Sequence, residues 1–189
     1  MRNATELRNE ILAAARAEFA QHGLAGARID RIAKAAPASK ERLYAHFGDK
    51  ETLFRAVVAR DTAEFFQAVT LRPDAVAEFV GEIYDLAREQ PEHVRMNNWA
   101  RLEGVVLDEP QADGHSVVDD TVEALRVAQD RGYVDPVWQP FDLLMLLFGI
   151  GLAWAHSPDP NAVSDDPAVV ARRRAAAVEA AARVIAVRA

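Results

Sequence analysis

Cysteine is absent from this 189-residue chain, so no disulfide staples the fold and no thiolate is available as nucleophile or metal ligand. Packing alone must hold it. No segment shows the strict alternation of a strand, and no internal repeat appears. A glycine-rich phosphate loop, a Gly-x-Ser-x-Gly elbow and a paired-histidine motif are all missing, which argues against an enzyme and implies no cofactor. The N-terminal residues Arg2, Glu6, Arg8 and Glu10 interrupt any apolar run that could serve as a signal peptide. The longest apolar segment, Phe141 to Ala155, is short for a bilayer span and meets Asp142 at its start, so no membrane partner is expected. A cytoplasmic protein is the expectation.

Lysine is scarce too, and its distribution is informative. All three lysines (Lys34, Lys40, Lys50) fall in one stretch near the N-terminus. The net charge of −7 divides unevenly along the chain. Residues 1–55 hold ten Lys+Arg against seven Asp+Glu, or +3, while the remainder holds twelve against twenty-two, or −10. A basic head and an acidic remainder suit a protein whose head meets a polyanion, since the backbone part of DNA affinity is electrostatic.

Within that head, Ile29, Ile32, Ala33 and Ala36 recur at helical spacing and give a short helix one buried face. Pro37 should push Ala36 out of the α region and stop that helix. Ser39 is a good N-cap for the next helix, whose inner face is Leu43 and Phe47. Its outer face carries Ser39, Lys40, Arg42, Tyr44 and His46, side chains of the kinds that contact phosphates and base edges. Gly48 breaks the chain, and Asp49 caps a longer helix burying Leu53, Phe54, Val57 and Val58. Lys50, in the first turn of that helix, opposes the macrodipole unless an anion docks there. Two short helices and a tight turn of this kind make a helix-turn-helix DNA reader.

The upstream segment Ile11 to Ile29 adds Phe19 and Gly23, four apart. With Ile32, Ala33 and Ala36, then Ser39, Lys40, Leu43 and Tyr44, then Phe47, Lys50, Glu51 and Leu53, residues 5 to 60 resemble the N-terminal domain of the TetR family of bacterial repressors. The resemblance implies an all-α fold: an N-terminal three-helix helix-turn-helix domain over 1–50, followed by a C-terminal helical bundle over 51–189 for dimerisation and ligand binding. It implies a homodimer that binds a palindromic double-stranded DNA operator and is released by a small-molecule effector, which the sequence does not identify. The sequence departs from the family at Pro37, where glycine is usual because the turn favours φ > 0. Proline should not adopt that, so the turn is expected to bend differently. Arg28, Glu41 and Arg42 also stand where smaller residues are usual. Arg42 is the candidate guanine reader and Arg28 a candidate phosphate contact; Glu41 either accepts from cytosine or repels phosphate, or Glu41 and Arg42 are a solvated pair. Ser39, His46 and Lys50 are the remaining phosphate candidates.

The rest reads as helices and short loops. Asn3 and Glu6 suggest a capping box before a first helix faced by Leu7, Ile11, Ala15 and Phe19. The helix after Asp49 should run to about Thr70. Val76, Phe79, Val80 and Ile83 mark another, and Pro91 opens the next. A polar loop covers Asp108 to Ser116, and Val118, Val122, Leu125 and Ala128 mark a helix ending near Gly132. A last alanine-rich helix should run from Pro167 to about Val187, with Arg172 to Arg174 as a solvated basic run. Gly149 with Ala153, Gly151 with Ala155, and a stripe of Ala171, Ala175, Val178, Ala182 and Ile185 permit close helix approach. Segments 141–155 and 167–187 are therefore the expected dimer interface, with ordinary monomer core as the alternative.

A ligand pocket is expected among the middle helices. Its bulky candidates are Phe65, Phe66, Phe79, Tyr84, Met96, Trp99, Leu102 and Phe148, and its polar ones are Asn97, Asn98, Arg101, Glu103 and His115. Aromatic residues at helical spacing also serve as plain core. Asp108, Glu109, Asp113, His115, Asp119 and Asp120 cluster in sequence but match no EF-hand or zinc spacing, so no metal is expected. The rival to a regulator is a helical small-molecule-binding module that has lost operator recognition, with Pro37 as the damaging residue.

Overall fold

Two apolar cores organise the chain in the computed structural model, which describes residues 4–105, 111–112 and 115–187. Among the described residues the helices are α1 (Ala4–Gly26), α2 (Ile29–Ala35), α3 (Lys40–Phe47), α4 (Lys50–Ala68), α5 (Val76–Glu89), α6 (Pro91–Leu102), α7 (Val117–Asp130), α8 (Pro140–Gly151) and α9 (Pro167–Ile185). A hairpin of two-residue strands, β1 (Gln111–Ala112) and β2 (His115–Ser116), precedes α7, inside the segment read as a polar loop. The all-α class holds around this one small sheet.

By packing, one unit comprises Met1–Glu64 with Glu92–Pro110, and the other Phe65–Pro91 with Gln111–Ala189. This division differs from a cut at residue 50. The first half of α4 buries Leu53, Phe54, Val57 and Val58 in the first core, and α6 adds Met96 and Ala100 to it. Phe19 and Phe54 meet edge to face at 5.0 Å between centroids. Each is fully buried, a contribution of about 2–3 kcal/mol apiece. α1 is kinked at Gly23, whose φ of 64° interrupts the helical backbone.

The second core joins the end of α4 to α5, α7, α8 and α9 through Phe79, Ile83, Leu125, Leu143, Leu144, Leu147, Ala177 and Ala181. Two glycines set how closely its helices approach. A Cβ on Gly151 would lie 2.6 Å from Ile83 Cγ2, and one on Gly81 2.9 Å from Val178 Cγ2. Arg174 bridges α9 to α5, with Nε 2.6 Å from Asp85 Oδ2 and Nη2 2.5 Å from Glu78 Oε1. Those bonds raise its pKa further. Arg174 is thus an inter-helix strut rather than part of a solvated basic face. At the end of α9, the Trp138 indole N–H donates to Val184 O at 3.0 Å and the Asp135 N–H to Ile185 O at 2.9 Å.

The remaining boundaries shift slightly. α4 stops at Ala68 and α8 at Gly151, where Ile83 fills the space beside the helix. On α9 the buried line is Ala177, Ala181 and Ile185, whereas Ala171 and Ala175 face outward and Val178 and Ala182 are half-buried. Gly149, Ala153 and Ala155 are exposed, and Gly151 is buried. Asn3 and the acidic residues Asp108, Glu109 and Asp113 lie outside the described residues, as does the side chain of His115. Among the described residues no helix is long and apolar enough to cross a membrane.

Candidate nucleic-acid interface

Ser39 starts α3 as its sequence suggests. Its backbone is extended (φ −81°, ψ 155°) and its Oγ accepts the Arg42 N–H at 3.3 Å. Leu43 and Phe47 then sink into the first core, and the guanidinium of Arg8 lies 5.3 Å above the Phe47 ring. With those two residues inward, Lys40, Glu41, Arg42, Tyr44 and His46 are left on the exposed surface of α3, Tyr44 at 44% exposure. The helix ends at Gly48 with φ 75°, and Asp49 Oδ1 accepts the Thr52 N–H at 2.7 Å to start α4. That backbone bond holds the Asp49 carboxyl below its ordinary value.

The turn before α3 departs from what proline alone dictates. Ala36 keeps a near-helical backbone (φ −87°, ψ 15°) and Pro37 sits at φ 25°, on the positive side. The expectation that the turn must avoid positive φ is therefore corrected. Ala38 N–H reaches back to Ala33 O at 2.9 Å, the outer bond of a Schellman helix stop. The inner bond would come from residue 37 to Lys34 O, and proline has no N–H to give it. The glycine-type turn is kept, at the cost of that bond and of a φ outside the range proline favours.

Several candidate DNA contacts already have partners within the protein. Lys40 pairs with Asp30 on α2, which raises the ammonium pKa. Lys50 Nζ donates to Ala25 O at 3.4 Å and Ala27 O at 3.3 Å, so the cation that seemed misplaced at the start of α4 neutralises carbonyls at the end of α1. Arg28 is the N-cap of α2 but offers no side-chain cap. Glu18 supplies one from α1, accepting the Arg28 N–H at 2.9 Å and Arg31 Nε at 2.7 Å. Burial pushes the Glu18 carboxyl up, yet the bonds from Arg31 and Arg28 outweigh it and its pKa is lowered. Arg28, Arg42 and His46 are exposed around this scaffold.

The pocket candidates separate into two sets. Phe65, Phe66, Phe79 and Phe148 form one aromatic cluster in the second unit, with centroid distances of 5.3 Å (Phe66–Phe148), 5.9 Å (Phe79–Phe148) and 6.3 Å (Phe65–Phe148). Tyr84 meets Trp154 edge to face at 5.4 Å. Met96 and Trp99 belong to the first unit instead. Met96 is fully buried in its core, and the Trp99 indole N–H donates to Ala20 O at 3.3 Å. Leu102 is 74% exposed, and Arg101 and Glu103 are exposed beside it; Asn98 is half-buried.

Asn97 takes part in a polar chain that sequence reasoning missed. Arg16 on α1, Asp61 on α4 and His93 and Asn97 on α6 come together, with Asp61 and His93 each 4% exposed. Beside it lies a cleft of about 180 Å³ lined by Leu12, Ala13, Arg16, Val57, Arg60, Asp61 and Glu64. The one local signal was the i, i+4 spacing of His93 and Asn97.

Comparison with known proteins agrees with the helix-turn-helix architecture. The family described as "Bacterial regulatory proteins, tetR family" matches residues 11–57, and "Tetracyclin repressor-like, C-terminal domain" matches residues 75–183. The HTH-type transcriptional repressor SCO4008 of Streptomyces coelicolor is 36% identical over 77% of this chain and 76% of its own length. The HTH-type transcriptional repressor AcnR of Corynebacterium glutamicum is 35% identical over 67% of this chain and 66% of its own length. A crystal structure of the transcriptional regulator SCO4942 from Streptomyces coelicolor superposes with a TM-score of 0.79 at 41% identity, covering 93% of this chain and 96% of that one. These matches, one over the N-terminal helices and one over most of the remaining chain, show that the chain belongs to the TetR family of bacterial transcriptional regulators.

Proposed function

We propose that this protein is a ligand-responsive repressor that binds a palindromic operator as a homodimer, reading it with α3. The observation that carries the reading is the α3 surface. Leu43 and Phe47 anchor it, and Arg42, Tyr44 and His46 are exposed on it. Arg42 has the bidentate fork that suits guanine O6 and N7. Tyr44 and Lys40 contact the groove edge, Lys40 by exchanging Asp30 for a phosphate, and Ser39, His46, Lys50 and Arg28 hold phosphates.

Dimerisation is proposed through α8 and α9 with the turn after α8. Phe141, Met145 and Leu146 are 53%, 45% and 45% exposed, and Gly149 and Ala153 continue the apolar exposure. On α9, Ala171 and Ala175 offer an exposed small-residue line. A two-fold pairing of such faces is self-complementary and fixes the distance between two reading heads. The effector is a small apolar molecule received among Phe65, Phe66, Phe79 and Phe148, with Tyr84 on α5 as a further candidate. It releases DNA only through differential affinity for two states.

The test is fluorescence anisotropy on a selected duplex and a scrambled one across a salt series. Tighter binding to the selected duplex, with affinity falling log-linearly in salt, supports the reading. Equal affinity for both would favour a small-molecule module without operator recognition.

A further inference from the structure

We propose that Asp61 is a positioning residue for DNA binding: a buried carboxylate on α4 that pins α6 and α1 to the reading head. The inference rests on the reading of α3 as the DNA helix. The polar chain is directional. The Asp61 carboxylate can only accept, so the His93 Nδ1–H donates to its Oδ2 at 2.6 Å, and Asn97 Nδ2 lies 2.7 Å from His93 Nε2. Arg16 Nε lies 2.5 Å from the other oxygen, Oδ1, and Arg16 Nη1 is 3.7 Å from Glu92. Thr62, next to Asp61, donates from Oγ1 to Asn97 Oδ1 at 3.5 Å. One carboxylate thereby touches a side chain from each of two other helices.

Stability alone does not account for this arrangement. A buried ion pair gains little over an apolar replacement of similar volume, and the best-attested use of such a pair is to fix register. Here there is a register to fix. A cleft of about 180 Å³ opens between α1 and α4 beside Arg16 and Asp61, lined by the buried Leu12 and Val57 and by the exposed Arg60 and Glu64. Arg16 Nε and Nη2 are buried yet make no well-aligned hydrogen bond, so the α1 end of the chain is held by proximity while the α6 end is a short, aligned bond. His93 also stands two residues after Pro91, where the chain enters α6 from α5. The pin therefore lies at the start of the only helix after residue 64 that contributes to the first core among the described residues.

Two substitutions test the proposal in the full-length protein. His93→Leu removes the donor to Asp61, and His93→Asn keeps an N–H where Nδ1 stood. Hydrogen exchange on the free protein and binding to operators whose half-sites are moved by one base pair are read for each. We expect His93→Leu to speed amide exchange in α6 by roughly ten-fold or more and to erase most of the preference for the native spacing, with affinity for scrambled DNA unchanged. His93→Asn should restore both. An equal loss of affinity at every spacing would mean structural support only and would overturn the proposal, as would unchanged exchange in α6. Should the wild type select no operator, the DNA reading fails, and the exchange comparison alone still decides whether the chain holds α6.

Discussion

Trp99 lies flat over Gly23: a Cβ placed on that glycine would stand 2.8 Å from the indole Cε3. The contact explains why residue 23 has no side chain. Its φ of 64° lets α1 kink there, and the indole N–H takes up Ala20 O, one turn earlier, at 3.3 Å. The Phe19–Gly23 spacing that marks the family in sequence is, in the fold, a seat for α6.

Gly23→Ala should therefore be costly. The backbone at Gly23 (φ 64°, ψ −177°) is one that essentially only glycine adopts and costs another residue about 1–3 kcal/mol, and forcing a methyl against a packed ring costs about 1–3 kcal/mol more. We expect a loss of about 2–6 kcal/mol in urea unfolding, with part of it recovered in a Trp99→Ala background through the shared contact. A loss below about 0.5 kcal/mol would contradict the seat.

Pro37→Gly should stabilise the protein. Glycine loses about 1 kcal/mol through its freer unfolded chain, but it relieves a strained φ and restores the N–H that Lys34 O lacks. The net gain expected is on the order of 1 kcal/mol, read as a higher denaturant midpoint at unchanged m. A lower midpoint would show that the ring is at ease in this turn.

Much of the reading head was legible because its determinants are local. Ser39 caps its own helix three residues on, and Leu43 and Phe47 are one turn apart, so spacing alone places them. The seat and the pin were not legible. Trp99 reaches back 79 residues to Ala20, and His93 32 residues to Asp61, with no periodic pattern to announce either pairing. Trp99 and Met96 consequently read as pocket lining, and Arg174 as part of a solvated run, though its partners are 89 and 96 residues away.

Acid should loosen the head through Glu18. Its folded pKa is lowered from the ordinary 4.5, so its contribution is complete above that value and is lost as pH falls through the lowered one. Chemical unfolding from neutral pH into acid should show stability declining in that range, less steeply in Glu18→Gln, which starts lower. Identical acid limbs in the two proteins would remove Glu18 from the account.

At the proposed dimer face, Met145→Glu should be nearly neutral for a monomer, within about 0.5 kcal/mol, because the residue is exposed. In a dimer it buries an unpaired charge. Sedimentation should shift from dimer to monomer, and operator binding should drop to single half-sites. An unchanged dimer would move the interface elsewhere.

Lys50→Ala and Arg42→Ala separate phosphate from base contacts. Losing Lys50 should weaken all sequences alike and reduce the salt slope by roughly one, along with a small loss of stability from the freed Ala25 and Ala27 carbonyls. Losing Arg42 should relax base preference at one position per half-site, by about 1–3 kcal/mol of discrimination. A binding selection that returns an unchanged motif for Arg42→Ala would remove it as a reader.

Capture of sheared genomic DNA from the source organism at near-physiological salt, followed by sequencing, tests the central claim most directly. The account predicts one or a few enriched sites sharing an inverted repeat with half-sites about one helical turn apart. Smooth, unselective recovery that vanishes as salt rises would contradict it, and would mean that the turn at Pro37 does not present α3 to the groove.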